Sequence, residues 1–294
     1  MNELEEERKK YLESRKRYKK VSKIVSIVAI ITLIAYLCDF PRNNEVTIIA
    51  IIVCVVSSIY IGRDHHNDKS DYEEYRKKYR EVIVDGVLKE MFTDIETDYS
   101  KGIDKGTIRS TNIIHAGIGT SFSSEDYVKG KYKNVVFEVS DVHTSHSDED
   151  GNRIIDFQGQ YYIFEFNKEF KGSVRVLYND EKKIYKKFPD YVELEDEEFN
   201  NNFTVLAKDK HLAYYILTPN FVEKIKELAY KFGGVNFLFI DNKVHIAIYN
   251  DEDLFEFNVI EKLNLEKESE KVRNNLTDII KIIDMLDLND KVFK

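Results

Sequence analysis

The stretch Ile154-Ile-Asp-Phe-Gln-Gly-Gln-Tyr-Tyr-Ile-Phe-Glu-Phe166 decides the fold class of the larger, C-terminal part of the chain. Tyr162, Phe164 and Phe166 fall on one side and Tyr161, Ile163 and Glu165 on the other, which is the two-residue period of a strand. Val135 to Val142 and Ser173 to Tyr178 have the same β-branched and aromatic character. Val235–Ile240 and Lys243–Tyr249 flank Asp241-Asn242, a two-residue turn that predicts a hairpin, and Phe255 to Val259 reads as a third strand beside it. Helical signals interrupt the strands. Asp196 precedes Glu197–Asn202 as an N-cap, Thr218-Pro219 supplies a cap hydroxyl and an N1 proline, and Gly233 stops the helix that follows. Val272, Leu276, Ile279, Ile280, Ile283 and Leu286 form an apolar stripe near the C-terminus. The reading is α+β with a mainly antiparallel sheet.

The composition of the 294 residues fits such a core. Hydrophobic residues are 43% and charged residues 33%, which excludes a disordered tail and a polytopic transporter. With 19 Tyr and 18 Phe there is ample aromatic volume, and with 3 Pro and 12 Gly no collagen-like or low-complexity segment. The formal charge of −9 is unevenly spread. Residues 1–23 hold nine Lys/Arg against five Glu, whereas residues 63–294 carry 46 acidic and 34 basic side chains. An acidic domain of this kind argues against nucleic acid as a partner, because such binding needs phosphates neutralised.

Two apolar runs lie ahead of the strands. Ile24 to Cys38 has only Ser26, Thr32 and Tyr36 as mild polar members, and Val46 to Ile61 has Thr47, Ser57, Ser58 and Tyr60. Their uninterrupted hydropathy predicts a transmembrane hairpin over 24–62, with spans 24–40 and 46–62, although each run is shorter than the roughly 20 residues of a spanning helix. Lys20 and Lys23 reach back to headgroups, and Tyr36, Phe40 and Tyr60 sit as interfacial aromatics. The connection Asp39–Glu45, with Pro41 and Asn43-Asn44, reads as a tight turn. Six Lys/Arg in 63–80 and nine in 1–23, against Arg42 alone in the turn, place both termini in the cytoplasm. The expectation is a multi-pass inner-membrane protein with the lipid bilayer as a partner. Cys38 and Cys54 fall inside the runs, and residues 63–294 have no Cys for a disulfide, thiolate metal site or nucleophile.

The organisation expected is a basic N-terminal helix over 1–23, the hairpin, a helical stalk over 63–100 and an α+β cytoplasmic domain over 101–294. Tyr72, Tyr75, Tyr79 and Val82 recur at helical spacing in the stalk, and Glu5–Lys9 and Glu6–Lys10 pair along the N-terminal helix.

Motifs for chemistry are sparse. Asp141-Val-His143-Thr-Ser-His146-Ser-Asp148-Glu149-Asp150 is the densest polar cluster, and His143 with His146 has donors for a divalent metal. Its place between two strands, ending in Asp150-Gly151-Asn152, favours an exposed hairpin tip, and no third ligand is fixed on a rigid element. His115 opens Ala116-Gly117-Ile118-Gly119-Thr120-Ser121, which lacks the Lys and spacing of a phosphate loop and reads as a turn. His65-His66 reads as a spacer, and His211 and His245 have no Ser or Cys partner in a recognisable arrangement. The run Glu193 to Glu198 reads as solvated.

One series carries a resemblance. Leu194-Glu195-Asp-Glu-Glu-Phe199-Asn-Asn-Asn-Phe203-Thr-Val205 is followed by Asp209 and Ala213-Tyr-Tyr215-Ile-Leu217-Thr218-Pro219, with Phe157-Gln-Gly159 and Phe170-Lys-Gly172 upstream and Phe255-Glu256-Phe257 downstream. Over roughly residues 125–260 this resembles the bacterial family catalogued as domain of unknown function 3137, whose usual pair of N-terminal spans matches the two runs. Tyr214 departs from the pattern, which tends to place Arg before the Tyr. The resemblance implies kinship and no activity, cofactor or catalytic residue. Physically, Phe199 and Phe203 share a helical face, Asp209 caps a helical turn and Ala213 permits close packing.

The leading expectation is a membrane-anchored, non-enzymatic interaction or sensing module that works with a protein partner or as a homo-oligomer, without metal or cofactor. The alternative is an oligomeric two-span effector or pore gated by ligand binding to the cytoplasmic domain. Were the protein an enzyme, its candidates are Asp141, His143, His146 and Asp209.

Overall fold

A computed structural model describes residues 2–37, 44–178, 187–250 and 252–288. The chain divides into two compact units: Met1–Gly86 with Phe257–Ser269, and Val87–Glu256 with Glu270–Lys294.

The first unit is built on two helices of 36 residues each, α1 (Asn2–Leu37) and α2 (Asn44–Tyr79). Aromatic and ionic contacts join them along their polar lengths. Tyr11 meets Tyr72 and Tyr18 meets His65, both with ring centroids 5.3 Å apart. Lys10 pairs with Glu74 at 2.7 Å and Asp71 at 3.3 Å, and Lys78 pairs with Glu3. The returning segment after Phe257 closes the open end of the pair. Phe257 lies 4.7 Å from the Tyr79 ring, 5.4 Å from Tyr75 and 5.9 Å from Tyr72. Buried Arg8 is held by Glu5 and donates to the carbonyls of Val259 (3.0 Å) and Glu261 (2.9 Å). Tyr79 is buried and donates to Glu268 at 2.9 Å.

The expected membrane hairpin is overturned. Among the described residues no helix is long and apolar enough to cross a membrane. Each run falls short of a roughly 20-residue span, and each is one part of a longer helix whose remainder is densely charged. Ile31 and Ile59 within them are 60% and 65% exposed. The fold-class assignment of an N-terminal transmembrane hairpin and the multi-pass inner-membrane localisation with both termini cytoplasmic are corrected with it. The gated two-span pore loses its spans. Residues 38–43, with Pro41 and Arg42 of the turn expected over Asp39–Glu45, and the side chains of Tyr36, Cys38, Phe40 and Cys54 lie outside the described residues.

A π-helical turn, Arg80–Val84, follows α2, and α3 (Asp85–Met91) follows that. The wider turn shifts the helical face by one residue. Ile83 and Val84 therefore point inward, while Val82, expected on the Tyr75–Tyr79 face, is 45% exposed.

The second unit is an α+β domain whose antiparallel sheet has seven strands. These are β1 (Thr93–Asp98), β2 (Ser121–Tyr132), β3 (Val135–Ser147), β4 (Arg153–Tyr178), β5 (Tyr191–Val192), β6 (Phe203–Ala207) and β7 (Val235–Tyr249). Their order is β1-β2-β3-β4-β6-β5, with β7 paired to β4. The 26-residue β4 is the spine. Its first half lies between β3 and β7, and its end lies between β6 and β7. Ile154–Phe166 and Ser173–Tyr178 are thus one strand.

The hairpin expected at Asp241-Asn242 does not form. The chain runs straight through as one 15-residue strand, with Gly159↔Tyr249 at one end of its pairing with β4 and Val176↔Phe237 at the other. Asp241 takes φ 51° at a register shift. A bulge exchanges the two faces of a strand, and here Leu238 and Ala247 share one core cluster despite opposite parity. Phe255–Val259 forms no strand.

The helices are α4 (Lys105–Thr111), α5 (Glu197–Asn202), α6 (Lys210–Ile216), α7 (Pro219–Phe232) and α8 (Leu265–Met285). Their ends follow the cap rules. Asp196 accepts from Phe199 N, Thr218 accepts from Phe221 N with Pro219 at N1, and Gly233 ends α7 at φ 81°. One sheet face buries Val142, Phe157, Tyr161 and Ile163 beneath Ile103, Ile108 and Ile114 from the α4 region. The other buries Phe137, Val139, Tyr162 and Phe164, and α7 sets Phe221 5.7 Å from Phe239. In the C-terminal stripe Val272, Leu276, Ile279, Ile283 and Leu286 are buried, joined by Ile282, with Ile280 half-buried.

Gly159 is one place where only glycine fits. Its φ is 150°, and an added Cβ would lie 2.0 Å from the Ile248 carbonyl oxygen and 2.9 Å from Asn250 N. Gly159→Ala should destabilise the domain by about 2–4 kcal/mol, since rigid backbone has to move. Urea unfolding measures this, and a loss under about 0.5 kcal/mol would refute the close β4–β7 approach.

Candidate functional site

Asp141 sits on β3 opposite Gln160 of β4. Gln160 Nε2 donates to Asp141 Oδ1 at 2.9 Å and to the Glu252 carbonyl at 2.6 Å. The backbone N–H of Leu254 donates to Asp141 Oδ2 at 2.9 Å. Asp141 therefore holds the segment after β7 directly through Oδ2 and indirectly through Gln160, which Oδ1 orients. Asn250 Nδ2 donates to Gln160 Oε1 at 2.5 Å and fixes the amide.

Beside this clasp opens a cavity of about 140 Å³, walled by Glu125, Asp141, Glu252 and Asp253, with Ser123, His143 and Gln158 also lining it. Ligand sites for larger organic molecules run ≈ 300–1,000 Å³, whereas this volume suits a cation with a few waters at roughly 30 Å³ each. Asp126 is fully buried nearby, at φ 59° in the irregularity where β2 breaks register between Glu125 and Val128. Carboxylate oxygens of Asp126, Asp141 and Asp253 all lie within 4.8 Å of one another. Burial first, then the charge of Asp253, push the Asp141 carboxyl up to about 8, against the hydrogen bonds from Gln160 and Leu254. Oxygen donors of this kind match hard cations.

A second cluster lies on the other face of the sheet. His146 of β3 and Asp156 of β4 approach at 2.8 Å (Nδ1 to Oδ1) and 2.9 Å (Nδ1 to Oδ2). His115, from the loop after α4, places Nδ1 3.1 Å from the same Asp156 Oδ1. These are groups with metal-ligand character: two imidazoles and one carboxylate.

The structure separates the four sequence candidates. Asp141 and His143 line the cavity. His146 belongs to the opposite cluster, and Asp209 caps α6 by accepting from His211 N (2.9 Å) and Leu212 N (3.4 Å). His143 Nδ1 is 3.5 Å from an Arg153 nitrogen. His245 is buried beside the Tyr161 hydroxyl at 3.2 Å, and burial pushes it down to about 4. Tyr214, at the position where the family pattern departs, is 50% exposed and donates to the Glu193 carbonyl at 3.3 Å. Asp126, Asp253, Asp156 and His115 were not readable as site residues, because two backbone irregularities and two loops bring them in. A short polar residue between apolar strand positions, as at Asp156, is the one local signal.

Comparison with known proteins finds a match over part of the chain. Residues 155–288 match the family described as "Protein of unknown function (DUF3137)". The match covers the sheet spine through α8 and supports the resemblance seen in the Leu194–Pro219 series, but it does not extend to the two N-terminal helices. No curated protein matches the chain. Among solved structures, the mycobacterial trehalose monomycolate transport factor A, TtfA, is similar at 9% identity with TM-score 0.34, covering 68% of this chain and 93% of that one. At that score the likeness bears on neither fold nor function.

The Asp141 shift sets a pH dependence. The folded state keeps a proton up to about pH 8, whereas the unfolded chain loses it near 3.8. Between those values the native state binds more protons, so this group's stabilisation falls as pH rises. From pH 5 to pH 9 the wild type should lose at least about 1 kcal/mol more unfolding free energy than Asp141→Asn, which cannot ionise. Parallel losses in urea melts would refute the assignment.

Proposed function

We infer that the protein is a non-enzymatic sensing or interaction module whose sheet unit binds a small cation in the Asp141 cavity. The observation that carries this is the double role of Asp141, which borders the cavity and holds residues 252–254, directly at Leu254 N and through Gln160 at the Glu252 carbonyl. A cation drawn in by Glu125, Asp141, Glu252 and Asp253 competes with the donors that Asp141 now satisfies and with its proton. Either change loosens or tightens the clasp. Leu254 lies three residues before Phe257, where the chain passes into the helical unit, so occupancy is communicated along the backbone to a partner protein or a second copy. His146 and Asp209 lie apart from the cavity that Asp141 and His143 line, which supports binding over catalysis by the four together.

The test is hydrogen exchange on the full chain, read in peptides covering 250–258, with Ca²⁺ and Mg²⁺ as probes. Saturating cation should change exchange there at least about threefold, through local opening of the clasp, and Asp141→Asn should abolish the response. Unchanged exchange in the wild type with either ion would overturn the reading.

A further inference from the structure

The His115–His146–Asp156 cluster lies on the face of the sheet opposite the Asp141 cavity and stands independently of it. It begins with a bulge. Thr144 pairs with Phe157 and Ser145 with Ile155, so Asp156 has no opposite residue on β3. Such an extra residue re-aims its side chain, and here it brings the Asp156 carboxylate against His146 Nδ1. Asp156 is only 10% exposed, while His146 and His115 are 39% and 59% exposed, so the carboxylate forms the floor and the imidazoles the rim. The rim is anchored on both sides. Ile113, Ile114 and Ala116 flanking His115 are buried in the core, and Asn236 Nδ2 donates to the Ile113 carbonyl at 2.6 Å. On the other strand, Arg153 donates to Ser145 Oγ at 2.9 Å, and Asp148 holds the hairpin tip by accepting from Asn152 N at 2.7 Å.

The geometry points to a site for a first-row divalent transition metal of the zinc class, held by His115 Nδ1, His146 Nδ1 and Asp156. One donor atom from each lies within 4.8 Å of the others, and the two rings stand perpendicular with centroids 5.9 Å apart. Bonds of about 2.0–2.2 Å in a tetrahedron require donors roughly 3.3–3.5 Å apart. The present His–Asp separations of 2.8 and 3.1 Å reach that range by an outward movement of a few tenths of an ångström at the exposed rings. Two imidazoles select such ions over Ca²⁺ and Mg²⁺, and three protein ligands leave one position for water or an exchangeable ligand. Convergence of two imidazoles on one carboxylate oxygen is the alternative arrangement, a hydrogen-bonded cluster with no ion.

The experiment titrates Zn²⁺ into the untagged, chelator-stripped full chain by calorimetry, with Co²⁺ as an absorbing probe. The expected result is one saturable Zn²⁺ per chain, a tetrahedral or five-coordinate Co²⁺ visible spectrum displaced by Zn²⁺, and affinity lowered at least tenfold by His115→Ala, His146→Ala and Asp156→Asn, about 1.4 kcal/mol each. His211→Ala, an exposed histidine elsewhere, should bind as wild type does. Circular dichroism confirms that the variants fold, and Asp156→Asn, nearly isosteric, keeps the test valid if a histidine variant does not. No saturable binding, or binding unaffected by all three substitutions, would overturn the site.

Discussion

The structure of the sheet unit depends on one constraint: β4 must satisfy its backbone hydrogen bonds on both sides where it runs inside the sheet, over Gly159–Glu165 and Val174–Val176. A strand buried in this way cannot leave N–H and C=O groups unpaired without a cost of about 1–3 kcal/mol each. β3 and β6 divide one side of β4 between them, and β7 runs along the other. The mismatch between one long strand and several shorter partners is absorbed in bulges, between Glu165 and Ser173 on β4 and at Asp241 on β7. Both candidate clusters hang from the same spine. Gln160 positions Asp141, and the bulge at Asp156 faces the histidines.

This constraint also explains which parts of the fold could be read in advance. Cap residues act within three or four positions, so Asp196, Asp209, Thr218 with Pro219, and Gly233 sit where their chemistry indicates. Alternation likewise identified Val135–Val142, Ile154–Phe166 and Ser173–Tyr178 as strand and the class as α+β, while Phe255–Val259 forms no strand. Asp241-Asn242 was misleading because the same dipeptide serves a turn or a bulge, each needing a residue at positive φ. The choice belongs to β4, which continues far enough to keep β7 straight. Phase shifts elsewhere act similarly: one π-helical turn moves Val82 out and Ile83 in. In the N-terminal helices the apolar runs predicted membrane spans, whereas each is part of a helix with a densely charged remainder, where tyrosines and ion pairs join the two.

The site was less legible than the fold for the same physical reason. His146 and Asp141 are visible as polar residues in a strand, but their partners arrive from β2, β4, the loop after α4 and the segment after β7. Sequence adjacency suggested that His143 and His146 act together. On a strand two residues of opposite parity face opposite sides, and the structure separates them across the sheet. The missing third ligand on a rigid element is Asp156, whose availability follows from a bulge that no local pattern announces.

The two faces then differ in what they can hold. On one, the converging donors are carboxylate oxygens around a cavity, and burial first, then the charge of Asp253, keeps a proton on Asp141 until a cation or rising pH removes it. On the other, nitrogen donors carry no negative charge, so repulsion is confined to a single carboxylate and no proton needs displacing from an acid cluster. Hard ions gain most from the first arrangement and borderline ions from the second. β3 and β4 form the wall between the two.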